Sequence, residues 1–219
     1  ICEGLVGSER CIRDSTISQR SLRLDRLDYR SNCLLAIDTS AAHCAAAIFL
    51  NGEIFSTVRE MKKGQAEKLF EVVEETFKAA NIKKSQIDLI LVGIGPGNFT
   101  GIRIGLAAAK GLALSLKIKI AGVNSFQASL YGQTTHKIAK INAPQNSYYL
   151  GTINGDFETK RVEGNHTPNE FANRPGGNEF IENMAKFGAD INYSLSQPAP
   201  LYIKPPDAHT RSHKISIIK

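Results

Sequence analysis

The chain has 219 residues and a formal net charge of +6, from 27 Lys and Arg against 21 Asp and Glu. Hydrophobic residues make up 42% and charged residues 22%, which is typical of a globular chain with a buried core. This composition excludes a disordered protein, a collagen and a disulfide-stapled mini-protein. No run approaches the roughly 18 uninterrupted apolar residues of a membrane span, so we expect no membrane association.

Residues 1–32 form an extension without a helical or strand period, and we predict that it is peripheral to function. The four cysteines contain no Cys-x-x-Cys pair, and Cys33 and Cys44 lie in apolar runs. Unpaired thiols in such runs are typical of buried cysteines in a reducing compartment. We therefore expect a cytoplasmic protein.

The organised part of the chain begins with three short predicted strands, at 33–37, 44–50 and 53–58. Asn51-Gly52 separates the second strand from the third and predicts a tight hairpin, because both residues tolerate the positive φ of a type I′ turn. A helix is predicted at 65–80, with its apolar residues on one stripe: Ala66, Leu69, Phe70, Val73, Phe77 and Ala80.

The next elements alternate between strand and helix. Residues 89–94 predict a buried strand, 102–116 a helix and 118–123 a strand, and another helix begins near Ser125. The order βββαβαβα predicts an α/β domain, in which helices pack on a mixed sheet.

After residue 136 the predicted regular elements become few and short. They lie at 148–153, 179–187 and 201–204. We therefore predict an N-terminal subdomain at 33–136, a smaller C-terminal subdomain at 137–208 and a tail at 209–219.

A polar turn with the residues Asp38, Thr39 and Ser40 follows the first strand. An acidic residue at a strand end can hold Mg²⁺, while hydroxyl and backbone N–H groups contact a phosphate. The same residues also fit an ordinary polar strand end at which Ser40 starts the turn. Both interpretations stay open.

A glycine-rich segment, GPGNFTG at 95–101, precedes the helix at 102–116. Gly95, Gly97 and Gly101 permit close backbone approach, and Thr100 is placed to cap the helix, whose N-terminus can bind an anion. The segment matches neither the dinucleotide nor the P-loop pattern. The alternative is a structurally demanding turn.

The helix at 102–116 is apolar nearly all round, with Arg103 and Lys110 as its only charged residues. A helix on one face of a sheet should have a polar side. A second apolar face predicts contact with a helix of a partner chain. The alternative is burial beneath the C-terminal half.

No set of catalytic residues stands out in the sequence. His209 and His213 have the spacing of metal ligands but lack a third ligand nearby, so we predict no metal site. Basic pairs such as Lys83-Lys84 lack interleaved aromatic residues, and we interpret the positive charge as solvated surface.

Together the motifs resemble the bacterial TsaB (YeaZ) family, whose members help to make the threonylcarbamoyl modification of the adenosine next to the anticodon in tRNA. The PGxFTGxRxG block is the most specific part of the match. The similar segments are LLAIDTS (34–40), GEI (52–54), GIGPGNFTGIRIGLAAAKGLA (93–113), GVNSFQA (122–128) and PLYIKPPDA (200–208).

The resemblance implies an actin/hexokinase-like ATPase (RNase H-like) fold with two halves. It also implies a non-catalytic subunit that binds a TsaD-like catalytic subunit and then a TsaE-like ATPase, meets tRNA through the complex, and forms a homodimer when alone. TsaD carries a His-x₃-His metal pair on its first helix, whereas residues 61–77 contain no His here. The M22 peptidase label given to some family members has no protease machinery to support it in this sequence.

The resemblance implies that this chain requires no cofactor, and that ATP and Mg²⁺ bind only at a shared or vestigial site. The residues of that site would be Asp38, Thr39, Ser40, Gly95, Gly97, Thr100 and Gly101. A rival hypothesis is a small ATP-dependent phosphotransferase that uses the same residues.

We predict that the contact with the catalytic subunit is a pairing of helices. From the helix at 102–116 it would bury Ile102, Leu106, Ala109, Leu112 and Ala113. From the outward side of the first helix it would bury Val72, Thr76 and Ala79.

Overall fold

A five-stranded mixed sheet lies at the centre of the structure, a computed structural model that describes residues 31–143, 147–154, 157–160, 171–190 and 198–202. Its strands are β1 (Cys33–Asp38), β2 (His43–Leu50), β3 (Glu53–Glu60), β4 (Leu89–Gly95) and β5 (Lys119–Asn124). They lie in the order β3-β2-β1-β4-β5; the first three are antiparallel and β1, β4 and β5 are parallel. The predicted mixed sheet is confirmed.

The hairpin between β2 and β3 turns at Asn51-Gly52, as predicted. Asn51 has a φ of 49° and Gly52 a φ of 96°, both in the left-handed region that Asn and Gly adopt most readily. The turn brings Leu50 opposite Glu53 and sets the register of the whole hairpin.

Helices cover both faces of this sheet. α1 (Gln65–Ala80) and α2 (Phe99–Leu116) pack on one face, and α3 (Ser125–Leu130) and α4 (Gly177–Asp190) on the other. Consecutive residues of β1 are therefore buried on opposite sides, with Leu35 and Ile37 in one core and Leu34 and Ala36 in the other. This double burial explains why β1 is apolar throughout.

A second, four-stranded sheet follows in the chain. Its strands are β6 (Ile138–Ala143), β7 (Ser147–Thr152), β8 (Phe157–Lys160) and β9 (Ala172–Asn173), in the order β8-β7-β6-β9. Phe126 and Leu130 of α3 form a small core with Ala139 and Ile141 of β6, so that α3 joins the two sheets. Only β7 is predicted by the sequence pattern.

The position of α4 corrects the predicted division at residue 136. Although α4 comes from the second half of the sequence, Phe180, Ile181 and Met184 lie in the core of the first sheet. Without α4, the face of β1 and β2 opposite α1 would expose its alanines and leucines to water. The first structural unit therefore includes residues from both predicted subdomains.

Two further predictions differ from the structure. Leu201 and Tyr202 form no helix or strand, so the regular element predicted at 201–204 is wrong at these two residues. Residues 1–30 of the predicted extension, residues 203–204 and the tail with His209 and His213 lie outside the described residues.

Candidate functional site

Two polar segments, at the carboxyl ends of β1 and β4, pack directly against each other. The Asn98 backbone N–H donates to the Ser40 carbonyl at 2.7 Å, and the Thr39 hydroxyl donates to the Gly101 carbonyl at 2.6 Å. The structure therefore brings together the two motifs that the sequence singled out.

The glycines in this region make room for the protein's own backbone. A Cβ atom on Gly97 would lie 2.1 Å from the Ser40 carbonyl oxygen, and one on Gly101 would lie 1.9 Å from that of Thr39. These are contacts between backbone segments and not approaches to a phosphate. Of the two interpretations of the glycine-rich segment, the structurally demanding turn accounts for these contacts.

The residue that caps α2 is Asn98, two positions before the predicted cap Thr100. α2 begins at Phe99, three residues earlier than predicted, and the Asn98 side chain accepts hydrogen bonds from the N–H groups of Thr100 and Gly101. Thr100 is therefore inside the first turn and does not cap the helix. Two of the free N–H groups that could bind an anion are occupied by Asn98.

The Asp38 carboxylate is fully buried and is held by two side chains and by the backbone N–H of Ser40. Its Oδ2 atom accepts from Arg174 Nη2 at 2.8 Å and lies 2.7 Å from His43 Nε2. Both terminal nitrogens of Arg174 also lie 3.1 Å from the Ser40 hydroxyl, and the guanidinium stacks 3.7 Å over the ring of Phe180. Arg174 thus links the residues before α4 to the turn after β1.

The charge of this cluster is balanced internally. Burial alone would raise the pKa of Asp38, but the Arg174 guanidinium and the hydrogen bond with His43 lower this pKa to about 2. Burial lowers the pKa of Arg174, while Asp38 opposes that shift. Asp38 and Arg174 therefore form a buried ion pair.

The built cluster does not fit a magnesium ion at Asp38. A magnesium ligand must offer an oxygen to the ion, which also keeps several waters. Here Asp38 has no exposed surface and its Oδ2 already faces a guanidinium and an imidazole. The protein's own cation occupies the place that a metal ion would take.

A polar cleft of about 620 Å³ opens beside this cluster, between the Ser40 turn and the second sheet. Lys140 and Arg174 line it together with the side chains of Asn98, Asn142 and Tyr149. The closed Asp38 cluster therefore forms one wall of the cleft, and Asp38 itself is not among the residues that line it.

The predicted partner-binding residues lie mostly on the wrong face of their helices. Four of the five predicted residues on α2 are buried between the helix and the sheet: Ile102, Leu106, Ala109 and Ala113. On α1, Val72 and Thr76 are buried as well. Leu112 is half-buried and Ala79 is exposed. Because α2 is apolar nearly all round, its sequence does not distinguish the side that meets the sheet.

The open apolar surface lies between α1 and α2. The α1/α2 groove has a volume of about 470 Å³, and half of Phe70, a residue predicted to face the core, is exposed there. Ala79 is nine residues from Phe70 and lies on the opposite side of α1. The groove is lined by Ala66, Leu69, Phe70, Ile104, Ala107, Ala108, Gly111 and Leu112.

Among the described residues of the C-terminal half, Tyr202 contacts the first turns of α2 at Phe99 and Arg103, whereas α4 packs on the other face of the sheet and does not cover the helix. Among the described helices, α2 alone is long and apolar enough to cross a membrane by length and composition, a test that core helices also pass. One side of α2 packs on the sheet, and another remains open in the groove.

Neither His43 nor Arg174 is among the site residues predicted from the sequence. His43 lies on the strand after the Asp38 turn, only five residues from Asp38, so the local sequence could have indicated that the two side chains are close. Arg174 directly precedes the Pro-Gly-Gly break but lies 136 residues from Asp38, and only the fold brings them together.

Comparison with known proteins gives consistent matches. Residues 59–167 match the family model of TsaD, tRNA N6-adenosine threonylcarbamoyltransferase. The chain is 37% identical over 95 residues to the tRNA threonylcarbamoyladenosine biosynthesis protein TsaB of Buchnera aphidicola subsp. Schizaphis graminum, covering 43% of this chain and 45% of that protein. It is 27% identical to TsaB of Escherichia coli K12, covering 56% and 55%. The chain spans about half the length of the curated relatives it matches.

A catalytic relative also matches, but over a smaller share of its length. The tRNA N6-adenosine threonylcarbamoyltransferase of Prosthecochloris aestuarii is 28% identical, with 56% of this chain and 40% of that protein covered.

Solved structures share the fold. A Pseudomonas aeruginosa protein with similarity to peptidase YEAZ superposes with a TM-score of 0.64 at 22% identity, covering 79% of this chain and 100% of that chain. YeaZ from Pseudomonas aeruginosa superposes with a TM-score of 0.62 at 20% identity, covering 78% and 100%. The predicted actin/hexokinase-like fold is confirmed. The sequence matches and the fold support an assignment to the TsaB (YeaZ) family.

Proposed function

We propose that this chain is a non-catalytic subunit in the synthesis of threonylcarbamoyladenosine in tRNA, and that it acts by binding a TsaD-like catalytic subunit. The curated relatives named TsaB support the pathway. The observation that carries the docking role is the open α1/α2 groove, which leaves apolar side chains of two long helices in contact with water.

The proposal places the catalytic subunit in the α1/α2 groove. Small residues of α2, Ala107, Ala108 and Gly111, line it and would let a partner helix approach closely. Phe70 stands at the rim as a large, exposed apolar side chain, the kind of anchor that dominates interface energetics. A second copy of this chain could occupy the same groove when the catalytic subunit is absent, which would give the homodimer.

The non-catalytic part of the proposal rests on the Asp38 cluster. An ATP-dependent phosphotransferase would need the Asp38 carboxylate for a metal ion, but that carboxylate is buried against Arg174 and His43. We therefore favour a subunit that needs no nucleotide of its own, works in the cytoplasm, and meets tRNA and a TsaE-like ATPase through the complex.

Replacing Ala108 with Glu should weaken binding to the TsaD-like subunit at least about a hundredfold, because the interface would have to bury an unpaired carboxylate. Isothermal titration calorimetry with the purified catalytic subunit measures this effect. The half-buried Ala108 lines the groove at the edge of the core and is not among its fully buried residues, so the thermal unfolding midpoint should stay close to that of the wild type.

The matched control is Ala79→Glu, the same substitution at an exposed position on the far side of α1. It should leave the affinity unchanged. If Ala79→Glu abolished binding and Ala108→Glu did not, the assignment of the groove would be wrong. If Ala108→Glu removed only self-association, the groove would bind a second copy and not the catalytic subunit.

A further inference from the structure

The positive charge of this chain is concentrated in one continuous segment. Residues 89–155 contain six Lys and Arg and no Asp or Glu, whereas the remaining residues contain 21 of each. The whole net charge of +6 therefore lies in this segment. The segment forms β4 and the edge strand β5 of the first sheet and the helices α2 and α3. It also forms β6 and β7 of the second sheet.

Within the segment, three exposed basic residues lie along α2 and at its end. Arg103 and Lys110 are seven residues apart and so lie on the same side of the helix, and Lys117 is the residue that caps its C-terminus. This α2 basic stripe spans about 21 Å at the helical rise of 1.5 Å per residue.

The stripe and the α1/α2 groove lie on different sides of α2. The groove residues of α2 are centred roughly 130° around the helix axis from the stripe. A partner seated in the groove would therefore leave the stripe open to a second one.

The basic residues of the stripe contrast with the acidic residues on α1, which pair within the chain. Glu71 binds Arg59 at 3.0 Å and Lys68 at 2.8 Å, and Glu74 binds Lys84. Within the described part of the chain, no acidic side chain pairs with Lys110 or Lys117. The charge on α2 is thus available to an external anion.

Arg103 is held in place at one end of the stripe. Its guanidinium stacks 3.8 Å from the ring centroid of Phe99, and its Nε donates to the Tyr202 hydroxyl at 2.9 Å. Fixing a long side chain before binding lowers the entropy that a ligand must overcome. The planar guanidinium also suits phosphate oxygens.

We propose that the α2 basic stripe adds a direct contact with the phosphate backbone of the RNA substrate to the association that the complex provides. This inference rests on the proposed function, which supplies an RNA. A line of cations, of which Lys110 and Lys117 have no acidic ion-pair partner among the described residues, fits a linear polyanion. Phosphate contacts of this kind bind without reading the sequence.

The test uses the full chain, a fluorescently labelled tRNA transcript and a salt titration followed by anisotropy. The wild type should bind the transcript with micromolar affinity at low salt, on the order of non-specific nucleic-acid binding. Lys110→Gln with Lys117→Gln should weaken this binding roughly tenfold and reduce the slope of log affinity against log salt by about 1.5. The matched control is Lys63→Gln with Lys78→Gln, which removes the same charge from exposed positions away from α2.

Several outcomes would overturn the inference. The wild type could fail to bind the transcript at low salt, or the stripe variant could keep the slope of the wild type. The stripe variant could instead lose affinity for the catalytic subunit or for phosphatidylserine vesicles, which would make the stripe a protein or membrane contact. Calorimetry of the wild type with the catalytic subunit tests the proposed function separately, since it does not depend on the stripe.

Discussion

Replacing Arg174 with Met should lower the free energy of unfolding by about 3–5 kcal/mol, because the change leaves the buried Asp38 carboxylate without its guanidinium. Methionine keeps a long apolar side chain over Phe180, so that the loss reports mainly on the charge. Urea unfolding followed by circular dichroism measures it. The control Arg103→Met removes an exposed guanidinium and should cost about 1 kcal/mol or less.

The pH dependence of the free energy of unfolding tests whether the Asp38–Arg174 ion pair is the cause of this loss. The folded-state pKa of Asp38 is lowered to about 2, below its unfolded value, so its stabilising contribution is complete above about pH 5 and is lost as the pH falls toward 2. This contribution amounts to about 2 kcal/mol. In Arg174→Met the contribution should vanish or change sign, because burial then dominates the pKa of Asp38.

A double variant completes the test. Asp38→Asn combined with Arg174→Met should be more stable than Arg174→Met alone, since no buried charge remains unpaired. Equal stability of Arg174→Met and the wild type at pH 7 would contradict the account of the cluster.

The same substitution at two glycines of α2 should have opposite effects. Gly101→Ala should lower the free energy of unfolding by about 3 kcal/mol, because the new methyl group would lie 1.9 Å from the Thr39 carbonyl oxygen. Gly111→Ala should raise it by about 0.5–1 kcal/mol, because Gly111 has open space around its Cα and alanine favours a helix.

Thermal and urea unfolding of the two glycine variants measure both effects. A stabilised Gly101→Ala protein would show that the Asp38 turn and the start of α2 are less closely packed than described.

Local patterns predict the first 100 residues of the organised chain well. Asn51-Gly52 determines its hairpin through backbone conformations that few other residues adopt, and the helix at 65–80 is confirmed to the residue. The buried face of that helix is shifted from the predicted one, however, since Phe70 is exposed and Val72 is buried. A periodic pattern predicts that a helix has a buried side, but which residues lie at the boundary of that side depends on the neighbouring helix.

The faces of α2 show the limit of this approach. Leu106 and Leu112 are equally apolar in sequence, yet one is buried in the core and the other lines the groove. A nearly uniform helix carries no amphipathic signal, so the three-dimensional packing alone assigns its sides.

The Asp38 cluster could be predicted only in part. Asp38 and the glycine-rich segment are recognisable, because each is an unusual local sequence at a strand end. Arg174 neutralises Asp38 across 136 residues of chain, and α4 covers a sheet that belongs to the other half of the sequence. Such contacts depend on the fold, which short-range spacing does not specify.

Reconstitution of the tRNA modification tests the central claim most directly. The catalytic subunit, the TsaE-like ATPase and an unmodified tRNA transcript would be assayed for threonylcarbamoyladenosine with this chain, without it, and with its Ala108→Glu variant. We predict modification with the wild type and the Ala79→Glu control, and a loss of at least about a hundredfold without the chain or with Ala108→Glu. Full modification without the chain, or with Ala108→Glu in its place, would contradict the account.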